Sequence, residues 1–203
     1  LPALTTVNLP ETLTTIERNT FNRTTALNTL TIPSSVTSIG DAIFRNLDAQ
    51  NNLADIKITV YNGTVGEAWA CGTNLDNVAH EFTVLDNPTA KTAVYVGCNK
   101  NSAMYTAAVQ GGIPYILLDG SIRIEEKDDG TVVLWSLPRS SVTAIFAGYH
   151  ADILVVTALY NGALQAGSTV CEPTEEFKNT AKEKSKVLVW ESLSGCMPLE
   201  VNQ

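Results

Sequence analysis

The chain is short of charge, of histidine and of long apolar runs, and each shortage removes a class of function. Charged residues make up 17% of its 203 residues, below the roughly 25% usual in soluble domains. Thirteen Lys and Arg stand against 21 Asp and Glu, for a net charge of −8, and the basic residues form no cluster. An acidic chain without a basic patch suits neither nucleic acid nor an anionic membrane surface. No stretch approaches the roughly 20 apolar residues that a membrane-spanning helix needs. The best run, ILVVTALY at 153–160, has the length of a strand.

Chemistry-bearing motifs are also scarce. The two histidines, His80 and His150, lie in opposite halves, outside any HExxH and away from a cysteine at ligand spacing. Both are expected at the surface or in turns. No GxSxG, Walker or GxGxxG pattern occurs. The four cysteines (71, 98, 171, 196) include no CxxC. Two fall in each half, so either Cys71–Cys98 and Cys171–Cys196 are disulfides or all four are buried thiols. Paired carboxylates occur at Glu125-Glu126, Asp128-Asp129 and Glu175-Glu176. Neighbours on a strand face opposite ways, however, and a DDG is first of all a turn. No catalytic activity, metal or cofactor is expected.

What the chain does contain is repetition. LTTVNLPETLTTIERNTF (4–21) aligns with LNTLTIPSSVTSIGDAIF (27–44) at a constant offset of 23. The matched pairs are Leu4/Leu27, Val7/Leu30, Leu9/Ile32, Pro10/Pro33, Leu13/Val36, Ile16/Ile39 and Phe21/Phe44. Val7-x-Leu9 and Leu30-x-Ile32 alternate like short strands with one buried face, ended by a proline that cannot donate to a ladder. Such a unit buries its apolar face only by stacking on another. Residues 9–13 read LPETL, one residue short of the LPxTG wall-anchoring signature, but they align with IPSSV one repeat later. The stretch reads as repeat architecture.

A third strand is expected from Leu53, with Leu53, Ile56 and Ile58 matching Leu27, Leu30 and Ile32 at an offset of 26. Residues 58–86 are then echoed by 92–119: Val60-Tyr61 by Val94-Tyr95, Gly63 by Gly97, Trp69 by Tyr105, Phe82 by Tyr115 and Leu85-Asp86 by Leu118-Asp119. Each of these units reads as strand, Gly turn, short helix with an inward aromatic, and second strand.

The pattern LxxLxIPxxVxxIxxxxF resembles the BspA-type leucine-rich repeats of bacterial surface proteins, and the VYxG…LD units resemble the variant repeats that end such arrays. The likeness spans roughly 1–119, and the abrupt start at Leu1 implies that further repeats precede it. At Gly120 the register breaks. SIRIEE-KDDG-TVVLWSL reads as a hairpin around Asp129-Gly130, ILVVTALY-NG-ALQAG as a second around Asn161-Gly162, and KVLVW (186–190) as a last strand. TEEFKNTAKEKS (174–185) is polar enough to read as a solvated connection, with at most a short strand near Phe177. ILVVTALYNGALQAG and KVLVWESLSGCMPL resemble a small accessory β-domain of clostridial-type extracellular proteins.

The expected fold is therefore mainly β with short helices. It comprises a leucine-rich-repeat solenoid of short parallel strands (1–119) and an Ig-like antiparallel β-sandwich (120–203). The resemblance implies a secreted or cell-surface protein in adhesion or protein–protein recognition, its partner a protein of the host or matrix or a cell-surface glycan. The expected contact surface is the outward strand face, Thr6, Asn8, Thr29, Thr31, Asp55 and Lys57. Glycan binding through the C-terminal domain would need exposed, coplanar aromatics, yet Trp135 and Trp190 are both expected in the core. A non-catalytic spacer of a larger surface enzyme is the other alternative.

Overall fold

The computed structural model describes residues 3–44, 56–72, 80–180, 182–190 and 200–201. It is mainly β with three short helices among the described residues, and it divides into two compact units, Leu1–Leu118 and Asp119–Gln203.

In the first unit, β1 (Thr15–Ile16) pairs in parallel with β3 (Ser38–Ile39), Thr15 beside Ser38 and Ile16 beside Ile39. The partners are one repeat period apart, as are Thr37 and Thr14, whose hydroxyl and carbonyl meet at 3.2 Å. Phe21 stacks on Phe44 with centroids 5.6 Å apart. Equal spacing thus sets equivalent residues of the two repeats beside each other, burying Ile16, Phe21, Val36 and Phe44. Val7 and Leu9 are half-buried but form no strand.

A second sheet has the order β2 (Thr29–Thr31), β4 (Lys57–Tyr61), β5 (Phe82–Leu85), β6 (Ala93–Cys98), β7 (Tyr115–Leu117). Leu30 faces Ile58, and Thr29 faces Lys57. This differs by two residues from the offset of 26, which would set Leu30 against Ile56. Because side chains alternate with period 2, the slip leaves each residue on its expected face. The pairs β2–β4, β4–β5 and β6–β7 are parallel, but β5 and β6 run antiparallel. The strands are therefore not uniformly parallel, because the seven residues joining β5 to β6 are too few for a crossover.

Helices α1 (Val65–Cys71) and α2 (Ala103–Gly111) carry the crossovers β4–α1–β5 and β6–α2–β7. Side chains place α1 over the Val60/Tyr95 face and α2 over the Val96/Cys98 face. With strand direction reversed between the two crossovers, opposite faces mean the same hand, as the handedness rule requires. The equivalent aromatics Trp69 and Tyr105 consequently lie on opposite sides. Trp69 packs on Phe44 at 6.1 Å, and Tyr105 sits edge-on to Tyr115 at 5.4 Å.

The second unit has two antiparallel sheets, β12–β9–β8 and β11–β10–β13–β14. The strands are β8 (Arg123–Glu126), β9 (Val132–Ser136), β10 (Arg139–His150), β11 (Ile153–Leu164), β12 (Gly167–Cys171), β13 (Lys184–Trp190) and β14 (Glu200–Val201). Leu134, Phe146, Val156, Cys171, Val187 and Val189, drawn from both sheets, belong to one apolar core. The hairpin around Asp129-Gly130 is present, with Gly130 at φ 80°. The one expected at Asn161-Gly162 is not. β11 runs straight through it, pairing Asn161 with Thr143 and Gly162 with Val142. Gly162 instead makes room for the Tyr160 side chain, whose hydroxyl would lie 2.6 Å from a Cβ there. The chain turns earlier, at Ala151-Asp152 (φ 47° and 63°), the doubly left-handed geometry of a tight hairpin turn.

Residues 174–185 are also more than a connection. Thr174 caps a short helix, α3 (Glu175–Asn179), and Phe177 from it is 1% exposed, packed edge-on to Phe146 at 6.0 Å. Phe177 and Ala181 are the only apolar residues of this polar segment, too few to set a periodicity, so packing reveals the role of Phe177.

Candidate binding face

The outward face of β2 and β4 follows from alternation. Leu30, Ile58 and Val60 are buried, so Thr29, Thr31 and Lys57 turn out and Thr59 lies half-buried beside them. Register sets Thr31, Thr59 and Thr83 side by side across three parallel strands, a hydroxyl ladder. The row continues onto Val96 of β6, which is 5% exposed in the cluster with α2, so the open face ends there.

Four of the six expected residues come together. Thr6, Asn8, Thr29 and Thr31 line one depression of about 200 Å³, with Val7, Leu9 and Pro33 as apolar wall and Glu11 at its side. Lys57 is next to Thr29 on the neighbouring strand but does not line the depression. Asp55 lies outside the described residues. Glu11, Thr59 and Thr83 escaped the sequence reading. Glu11 follows the repeat's proline, and the two threonines join the face only through strand register. The lining offers hydroxyl and amide groups with one carboxylate, Glu11, whose charge, after burial itself, raises the Tyr61 phenol above its ordinary range. Such a lining hydrogen-bonds a polar surface, and no nucleophile–base pair is assembled in it.

Several other groups capable of chemistry in this unit are tied into the fold. Glu67, three residues after the helix cap Thr64, turns its carboxylate back to the Gly63 N–H (2.6 Å) and accepts the Tyr95 hydroxyl (2.6 Å). The Cys71 thiol lies 3.4 Å from the same phenol oxygen. Burial drives the Tyr95 phenol far above its ordinary range and the Cys71 thiol up to about 11. The T-x-x-E spacing at 64–67 is the sequence signal for this carboxylate. Glu81 is buried too and accepts the Asn99 N–H at 2.9 Å. His80, expected at the surface, is 8% exposed, with Phe44 edge-on at 5.3 Å. Cys71 and Cys98 are free and buried, so the bridge between them is not formed. Cys71 reaches Tyr95 on one face of the sheet, while Cys98 packs with Val96 on the other. Cys171 is likewise a buried free thiol, and Cys196 lies outside the described residues.

In the second unit the acidic pairs diverge. Glu125 takes the Trp135 indole N–H at 2.8 Å and pairs with Lys127, while Glu126 accepts the Ser185 hydroxyl. Asp129 accepts the Thr131 N–H within the hairpin turn. Trp135 and Trp190 are half-buried rather than core residues, because register turns both away from the shared core. They stand on different sheets, and the Arg123 guanidinium lies 5.0 Å from the Trp135 ring centre. Trp135 and Trp190 therefore do not form the exposed coplanar pair that glycan stacking would need.

Residues 2–87 match the family described as BspA type Leucine rich repeat region (6 copies). The match takes in all of the depression's lining and the strands β2, β4 and β5. No curated protein matches the chain. No solved structure matches it either.

Proposed function

We propose that this chain is a non-catalytic secreted or cell-surface protein that recognises other proteins through the outward face of its repeat unit. The observation that carries the reading is the convergence of Thr6, Asn8, Thr29 and Thr31 from two successive repeats on one open depression, within the region that matches the BspA-type repeats. Stacked strand faces supply contact area without chemistry. We read residues 1–119 as a short leucine-rich-repeat solenoid, supported by ladder pairing at the repeat period of 23. We read residues 120–203 as a β-sandwich, supported by two antiparallel sheets that contribute to one core. Adhesion to a host or matrix protein is the specific role this arrangement suits.

The test is a binding screen of the whole chain against extracellular-matrix proteins and a glycan array. Expected is protein binding that falls at least tenfold in Thr31→Arg and Asn8→Arg, which fill the depression from exposed positions. Binding confined to glycans, or protein binding indifferent to both variants, overturns the reading.

A further inference from the structure

The depression on the repeat face holds a carboxylate that the fold does not use. Glu11 is exposed at its side, and among the described residues its carboxylate makes no hydrogen bond or ion pair. The repeat does not call for an acid at this position either. One period later, after the equivalent proline, Ser34 stands there and is exposed as well. The rest of the lining is neutral: Thr6, Asn8, Thr29 and Thr31 offer hydroxyl and amide oxygens, and Val7, Leu9 and Pro33 an apolar wall. At about 200 Å³ the depression is smaller than the about 300–1,000 Å³ of small-molecule pockets. It has room for a side chain presented by a larger partner.

We propose that the depression seats one cationic side chain, lysine or arginine, of the protein that this face recognises, an inference that rests on reading the face as a recognition surface. Sign, hydrogen bonding and shape each select that chemistry. The only charge in the lining is negative and the whole chain carries −8, so a basic segment is drawn in and an acidic one held off. A carboxylate only accepts hydrogen bonds and a hydroxyl can accept them. An ammonium or guanidinium, which only donates, therefore finds partners in Glu11, Thr29 and Thr31. The stems of lysine and arginine lie along apolar surface while the charged head stays at the water's edge, and Val7, Leu9 and Pro33 supply that surface. An apolar side chain seated there would desolvate Glu11 without pairing it. Lys57, beside Thr29 on the neighbouring strand and outside the depression, keeps a cation at the Glu11 end.

The test titrates a blocked Gly-Ser-Lys-Ser-Gly peptide, with arginine, norleucine and glutamate versions, into the whole chain and follows the methyl resonances of Thr6, Thr29 and Thr31. The lysine and arginine peptides are expected to move these resonances with at least tenfold higher affinity than the norleucine and glutamate peptides. Glu11→Gln weakens the cationic peptides at least threefold, and the difference shrinks as salt is raised. Its melting curve stays unchanged, because residue 11 is exposed. Glu11→Lys abolishes the preference for cations. Cationic peptides that move none of the three methyls at millimolar concentration overturn the proposal. So does norleucine binding as tight as lysine, or cationic binding indifferent to either Glu11 variant. A protein partner lost in Thr31→Arg but held at full strength by Glu11→Gln also overturns the cationic anchor while leaving the recognition face standing. Failure of the face itself shows differently, as partner binding indifferent to Thr31→Arg and Asn8→Arg.

Discussion

Gly97 stands directly opposite Phe82 across the antiparallel β5–β6 pair, and the Phe82 ring occupies the space that a Cβ on residue 97 would need. Phe82 is fully buried, edge-on to Tyr95 at 6.2 Å, so it has nowhere to retreat. Gly97→Ala is expected to cost about 1–3 kcal/mol, the range for overpacking a filled core, measured by urea unfolding. Adding Phe82→Leu should return part of the loss. A Gly97→Ala protein as stable as the parent would mean that the ring is not there.

The Tyr95–Glu67 hydrogen bond supports a second prediction. Tyr95→Phe removes the donor but not the buried carboxylate, leaving Glu67 Oε1 without the phenol it accepts. An unsatisfied buried acceptor costs about 1–3 kcal/mol, so the melting temperature should fall. Combining Tyr95→Phe with Glu67→Met should cost less than the sum of the two single changes. Simple additivity would show that the two groups do not interact.

Stability should fall in alkali. The thiols of Cys71, Cys98 and Cys171 are each pushed up to about 11 from an ordinary 9.0, chiefly by burial, and the Tyr95 phenol is raised as well. Raised acids hold their protons in the folded state after the unfolded chain has released them. Their contribution is therefore complete below about pH 9 and is lost as pH rises through 9 to 11. Each thiol removes up to about 1.4 kcal/mol per pH unit in that window. Urea midpoints at pH 8, 9, 10 and 11 should decline progressively, and Cys171→Ala should flatten part of the slope. A midpoint that climbs over this range contradicts the burial of these groups.

The turn at Ala151-Asp152 offers a stabilising change. Ala151 holds φ 47° with a side chain poorly suited to the left-handed region, whereas asparagine tolerates it. Ala151→Asn keeps the residue 151 N–H that donates to Glu183 (3.0 Å) and leaves the Asp152–Lys184 pair untouched. A gain of about 0.5–1 kcal/mol is expected, read as a higher melting temperature of the second unit. A loss would place the turn elsewhere, at Asn161-Gly162 for instance.

Much of the first unit was legible because its code is spacing. A constant offset of 23 between apolar residues puts Phe21 on Phe44 and Ile16 beside Ile39. Alternation separated Leu30 from Thr29 and Thr31 correctly, so the exposed half of the candidate face could be named in advance. The exact neighbour could not. A pattern of period 2 is unchanged by a two-residue slip, so Lys57 beside Thr29, and Thr59 and Thr83 beside Thr31, appear only in the paired sheet. Glu11 joined the depression in the same way, through folding.

By itself, then, the sequence determined what repeats at a fixed interval and which face of β2 and β4 is apolar, since both are local and periodic. Alternation left strand direction at β5–β6 open, because it reads the same in either direction, and only where the two strands begin and end made their connection too short for a crossover. Tertiary structure alone decided that Asn161-Gly162 continues a strand, because pairing with β10 and the Tyr160 ring outweigh the local turn preference. It decided too that Phe177 fills the core from an otherwise polar segment, and that Trp135 and Trp190 face away from it. These outcomes depend on which surfaces meet, a property of the assembled sheets that no single stretch of chain carries.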